Sequence, residues 1–393
     1  MLKKLLFIFA PIMLFSFGAP LSEFDTDKPA TIKVLLEKGI KGTVVEVKGP
    51  HKIFNPMDGR QLKTRFFRKR FYLQSIANGI KWGENYDRIH QIRIVPTKSD
   101  ATLVVNGIEY RGCLNAYLIE DKLYLVNEVS VEDYLKSTLI NAFPKNLHHE
   151  VIDALTIISR TNAYHLGMKG KNGYWDVEAH KVGYRGQGVT MLDKEIDRAV
   201  NGTRHLIMLY KNRPFPATWN ENCAGRTANF AAVYRKNETA PSGVKVPVAE
   251  RIRNDSTWCF SIGKEELAGI VKTNRISDIK LFQDELSAKV YAMRITDGTH
   301  VNDLNFFELQ EAIGKERLVS NDFSIRVDKN QILFEGYGRG LGVGLCLFSA
   351  QEYAQKNALA PRILSQFFPE TQLEKVRSFD ELGRSIKTPL LIE

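Results

Sequence analysis

The chain changes its hydrophobic period at Ser130, and that switch bounds the folds open to it. Over residues 30–131, short β-branched and aromatic runs such as 43–48 and 91–95 are bounded by Gly, Pro and Asp. Runs of that length with those boundaries predict strands and hairpins. From Ser130 onward the spacing becomes helical. Ser130 suits an N-cap, Glu132 and Asp133 suit a first turn, and Pro144 ends the helix or bends the chain after it. Val151, Leu155 and Ile158 predict a second helix over 147–164, stopped by Gly167 and Gly170.

Farther on, 204–209 and 215–219 read as strands around a turn at Lys211 and Asn212. A helix lies within 252–272, mixed strands over 276–296, a short helix over 303–313, then a Gly-rich loop and a helix over 348–356. No internal repeat or low-complexity linker forces a division into two domains. The predicted class is α+β, with mixed strands and hairpins and a few helices around a cleft.

The N-terminus reads differently. Lys3 and Lys4 precede an apolar run over 5–17, followed by the small residues Gly18 and Ala19. This is a signal-peptide pattern, short for a spanning helix. Residues 1–19 are therefore expected to be a leader cleaved after Ala19 or an uncleaved anchor, the route by which the protein would meet a membrane. Residues 20–393 would be the exported domain, in the periplasm or cell envelope.

The net charge of +10 comes partly from the run 63–70, which is interleaved with Phe66, Phe67 and Phe71. Such a run attracts anionic lipid, an acidic polymer or nucleic acid. Export and the lack of any nucleic-acid fold signature argue against the last. The ordinary reading is a solvated basic edge. Of four isolated cysteines, Cys113 and Cys259 read as buried small hydrophobes.

The segment 131–144, with Glu132-Asp133-Tyr134 at its start and Pro144 at its end, resembles the core signature of the SpoIID/LytB family (stage II sporulation protein D and the amidase enhancers). Leu155 to Thr161 resembles the family's following Arg-Thr helix. Leu103 to Gly112 resembles its Val-Asn-Gly hairpin, 222–227 its Ser-rich loop, 336–344 its glycine loop, and 367–373 its closing motif. The likeness runs over about 30–375, with a sub-domain near 35–125 as one possible division.

The resemblance implies a lytic transglycosylase scaffold that acts on peptidoglycan glycan strands stripped of stem peptides, with a cell-wall amidase as a partner. In the family a single glutamate protonates the glycosidic oxygen and then accepts the proton of the sugar's own C6 hydroxyl, chemistry that needs a carboxyl in a partly apolar pocket. Glu132-Asp133-Tyr134 and Pro144 fix the register without a gap, and the glutamate position falls on Ala142. Glu221 is the substitute acid that location favours; its ordinary reading is a solvent-facing loop acid. Glu132 and Asp133 read as capping or pairing groups.

The resemblance also implies a sugar-contacting set: Arg160, Thr161, Tyr184, Gly186, Asn220, Asn222, Cys223, Arg226, Gly340, Gly342 and Gly344. The glycines could instead serve loop packing. The family's glycine-loop histidine falls on Leu341, and its Ser-Gln pair on Cys346 and Leu347. Where some relatives place structural zinc, His180 stands without the partners zinc needs, so no metal and no cofactor is expected. The reading is thus a glycan-binding envelope protein with degenerate catalysis. An active transglycosylase with a displaced acid and a structural envelope protein are the alternatives.

Overall fold

A computed structural model describes residues 29–140, 142–169, 173–186 and 193–382. The expected leader or anchor over 1–19 and the predicted stop at Gly170 lie outside them. The fold is mixed α+β, as the change of period at Ser130 predicts.

Residues 31–130, joined by the short strand Val177–Glu178, form two facing, almost wholly antiparallel sheets. The first runs in the order Val177–Glu178, Thr31–Ile40, Lys122–Ser130, Cys113–Ile119, Gln91–Pro96, His51–Phe54, Gln61–Arg65. Its first strand alone is parallel to its neighbour. The second is ordered Ile108–Tyr110, Thr102–Val105, Gly42–Lys48, Lys69–Ile76, Gly79–Trp82, Glu84–Asp87. Alternating residues such as Ile32, Val34, Val45, Val47, Leu73 and Leu103 close one core between them. Asn106 and Gly107, both with positive φ, make the tight turn of the Val-Asn-Gly hairpin.

At Ser130 the chain leaves the sheet. The Ser130 hydroxyl accepts the Asp133 N–H at 3.1 Å and caps helix α1, Val131–Thr138. Helix α2, His149–Lys169, is shared by two cores. Ile152, Ala163 and Tyr164 join the sheet core, while Val151, Ala154, Leu155 and Ile158 join a second core built with Ile363, Leu364 and Phe367.

Here the expected boundary is corrected, since α2 continues five residues past Tyr164 and straight through Gly167. A Cβ at Gly167 would stand 2.5 Å from the Phe379 ring, so the glycine marks a close approach and not a helix end. The 215–219 strand is also shorter than expected. Pro214 and Pro216 remove ladder donors, and only Trp219–Asn220 pairs, parallel to Leu345–Cys346.

Residues 257–337 enclose a third core of their own around Ile262, Leu267, Met293, Phe306, Phe323 and Phe334. This unit enters and leaves side by side. Thr257 pairs with Tyr337, and Gly338 N–H reaches the Ser256 carbonyl at 2.9 Å. Cys259 lies on its outer strand and is exposed, contrary to expectation, because strand alternation turns it to solvent; Cys113 is half-buried.

Candidate functional site

The residues expected to contact sugar fall into two groups, which the fold keeps apart. The first group is interior. Arg160 is wholly buried on α2, and its guanidinium makes five hydrogen bonds. Nε and Nη2 reach Glu132 Oε1 and Oε2 at 3.0 and 2.8 Å; Nη1 reaches Thr203 Oγ1 and the Leu206 carbonyl at 3.1 and 3.2 Å; Nη2 also reaches the Val200 carbonyl at 3.1 Å. A guanidinium has five N–H groups, so none is left for a ligand.

Thr161 is likewise buried. It donates to the Ile157 carbonyl at 2.8 Å and accepts the Met208 N–H at 2.9 Å, joining α2 to the strand Leu206–Tyr210. Tyr184 sits stacked between Tyr110 and Tyr134, centroids 5.6 and 5.7 Å away, and its hydroxyl donates to Asn127 Oδ1 at 2.6 Å. Gly186 seats against the Glu109 carbonyl, where a Cβ would come within 2.1 Å. Sugar contact was expected at these four positions; here they are enclosed, and the side-chain donors of Arg160, Thr161 and Tyr184 are already engaged. They pin helices and hairpins together.

The second group does converge. Trp219–Asn220 and Leu345–Cys346 form a two-residue parallel ladder, which brings the Asn220–Thr227 loop against the glycine loop. The Asn220 side-chain amide donates to the Val343 and Leu345 carbonyls at 3.2 and 3.1 Å, and its buried Oδ1 has no partner among the described residues. Asn222 exchanges backbone hydrogen bonds with Arg339 at 3.1 and 2.9 Å, and its Oδ1 accepts the Ala224 N–H at 2.9 Å.

The glycine loop itself is packed. Gly344, at φ +77°, lies so close to the Thr218 carbonyl that a Cβ would sit 2.1 Å from its oxygen. Gly342 receives the Ala228 N–H at 2.8 Å, and Gly340 donates to the Val319 carbonyl at 3.1 Å. Loop packing therefore accounts for these glycines without a ligand.

Cys223, in the loop that follows the ladder, is a buried neighbour of Cys346. Cys346 Sγ accepts the Cys223 N–H at 3.3 Å and the Ser349 hydroxyl at 3.5 Å. The hydrogen bond with Cys223, helped by these donors, holds the Cys346 thiol below the ordinary thiol range. The same contact, together with burial, pushes the Cys223 thiol up.

One ionic cluster here was not legible in the sequence. The buried Lys289 reaches the Cys223 carbonyl and Asp322 Oδ2 at 2.7 and 2.6 Å, and Arg253 binds both Asp322 oxygens at 2.8 and 2.9 Å. These residues belong to the inserted unit or its entrance, and they hold it against the Cys223 loop. Single charges spaced tens of residues apart carry no local signature.

Ala142 is half-buried and packs against the sheet core. Its neighbour Phe143 packs edge-on against Trp219, centroids 6.1 Å apart, which sets the 142–144 turn next to Asn220. Both rings remain half-buried and form an aromatic wall that the motif reading passed over. Glu221 is half-exposed, and its Oε2 stands 3.5 Å from Arg339 Nε. Arg226 is exposed and donates to the Leu286 carbonyl at 3.0 Å. His180 is exposed, 3.7 Å from Glu178.

Comparison with known proteins gives this arrangement its class. The family described as stage II sporulation protein, SpoIID, matches residues 119–210, which hold α1, α2 and the strand that Thr161 pins. The chain is similar to an uncharacterised protein of Chlamydia muridarum, 36% identical over 179 residues, or 45% of this chain and 62% of that protein. It thus spans less than two thirds of that relative. It is 33% identical over 186 residues to an uncharacterised protein of Chlamydia pneumoniae, covering 47% of this chain and 68% of the relative. Stage II sporulation protein D of Bacillus subtilis is 22% identical over 270 residues, 65% of this chain and 77% of that protein. The chain belongs to the SpoIID family.

Proposed function

We propose that this is an exported cell-envelope protein that binds peptidoglycan glycan strands during wall remodelling in division- or sporulation-type processes, without the family's acid catalysis. The observation that carries the reading is Ala142. The family's signature places the acid there, and a methyl group cannot transfer a proton. Around it stand Phe143 and Trp219, two half-buried rings that offer a sugar its apolar face.

Glu221 does not take over the task. A general acid needs apolar surroundings that favour its neutral form, whereas Glu221 is half-exposed beside the Arg339 guanidinium. The protein's role in this reading is to hold stripped glycan and to position or stimulate a cell-wall amidase.

Purified protein should co-sediment with stem-peptide-free glycan strands and release no 1,6-anhydro sugars. Ala142→Glu should produce such sugars if the cleft is otherwise intact. Failure to bind stripped glycan at all would leave a structural envelope protein, and wild-type turnover would leave an enzyme with a displaced acid.

A further inference from the structure

The basic run over 63–70 does more than edge a sheet. The strand Gln61–Arg65 closes the first sheet and Lys69–Ile76 lies inside the second, so 66–68 cross from one sheet to the other. On this crossover Phe66 and Phe67 are 74% and 76% exposed. Phe71 and Tyr72 follow at 37% and 53%, and burial begins only at Leu73. Phe71 and Tyr72 pair with Val45 and Val44 on one side only, since the next strand, Gly79–Trp82, pairs no farther than Leu73, and both rings stay open to solvent.

The cations flank the rings. Arg68 and Arg70 share Glu46, at 2.6 and 4.0 Å, and both remain about two-thirds exposed. Lys63 and Arg65 share Glu84. Five cations, with Lys69, thus face two carboxylates. A solvated basic edge has no use for two neighbouring phenylalanines held in water, because large exposed apolar patches mark interaction sites.

We propose that this tip docks on an anionic bilayer surface, with Phe66 and Phe67 entering the headgroup–acyl boundary and Arg68, Lys69 and Arg70 meeting lipid phosphates. Exposed aromatic rings flanked by Arg and Lys are the composition that partitions to such an interface. The orientation rests on the export reading above.

The test uses the full chain on vesicles of phosphatidylethanolamine with phosphatidylglycerol, and on phosphatidylcholine alone. Trypsin cleavage after Arg65, Arg68 and Arg70 should slow about tenfold on the anionic vesicles only, and added salt should restore it. Phe66→Ser with Phe67→Ser should restore fast cleavage while the chain stays vesicle-bound and keeps its far-ultraviolet spectrum. As a second reading, Phe67→Trp should show blue-shifted emission on anionic vesicles. Equal cleavage on both vesicle types, or protection that survives the double substitution, overturns the proposal. Protection by a soluble protein fraction and none by lipid assigns the tip to a protein partner and overturns it equally. No glycan enters the assay, so the glycan-binding reading and this one can fail separately.

Discussion

Arg160 and Glu132 lie 28 residues apart in sequence and meet through two parallel N–H···O bonds of 3.0 and 2.8 Å, the guanidinium wholly buried and the carboxylate nearly so. Each residue is part of the family signature, and together they clamp α1 to α2. Removing one partner leaves the other charge uncompensated in the interior. Arg160→Ala should therefore lower stability by about 3–5 kcal/mol, read as a shift in the urea midpoint. A variant as stable as wild type but deficient in glycan binding would return Arg160 to the binding surface.

Turnover should be weak for want of a positioned acid. Wild-type protein should cleave stripped glycan at least ~10²-fold more slowly than a relative that carries the glutamate. Product analysis for 1,6-anhydro sugars measures this. A rate comparable to the relative's that disappears in Glu221→Gln would establish a relocated acid.

Gly344→Ala should destabilise by about 2 kcal/mol or more, because the new Cβ meets the Thr218 carbonyl at 2.1 Å and the backbone is held at φ +77°. Thermal unfolding checks it. An unchanged melting temperature would mean that the loop shifts freely and that its glycines are free for a ligand.

Three buried or half-buried histidines give the stability an acid limb. Burial, then the charges of Arg65 and Lys69, hold His51 below its ordinary value near 6.5, against an opposing hydrogen bond to the Gly49 carbonyl. Burial also depresses His165 and His205. The unfolded chain binds these protons first, so the contribution is complete above pH 6.5 and is lost as pH falls below it. Melting temperature should drop between pH 7 and pH 5, and His51→Gln should flatten that drop. A limb unchanged by the substitution would exclude His51 as a source.

Thiol labelling should separate the four cysteines. Cys259 is exposed and should react with a disulfide reagent in a fast phase that vanishes in Cys259→Ser. Burial pushes the half-buried Cys113 thiol up, which slows it. Cys223 and Cys346 should react only on unfolding. A fast thiol in native Cys113→Ser/Cys259→Ser protein would show that the Cys223–Cys346 contact opens.

Much of this was legible along the chain. Ser130 announced its cap, Asn106-Gly107 its tight turn, and the spacing of Val151, Leu155 and Ile158 the existence of α2 though not its end, because each depends on neighbours in sequence. What failed were inferences from residue type to exposure. Arg160, Thr161 and Tyr184 carry hydrogen-bonding groups that could have faced a sugar, and only tertiary packing reveals that Glu132, Met208 and Asn127 already occupy them. Gly167 reads as a helix stop until Phe379, more than two hundred residues later, proves to lie over it. The Lys289–Asp322–Arg253 cluster had no local signal at all.

The insertion is, in topology, one very long hairpin. Because Thr257 and Tyr337 are partners on adjacent strands, the chain returns to the body beside the point where it left, whatever the length between them. Its third core can be lengthened, shortened or exchanged without rerouting the chain through the α2 scaffold. Such an exchange must rebuild the ionic grip of Lys289 and Asp322 on the Cys223 loop, together with the contacts Arg226–Leu286, Tyr234–Phe307 and Arg235–Tyr291. In mechanical terms 257–337 is a module held by its two adjacent ends and by a small set of side-chain grips.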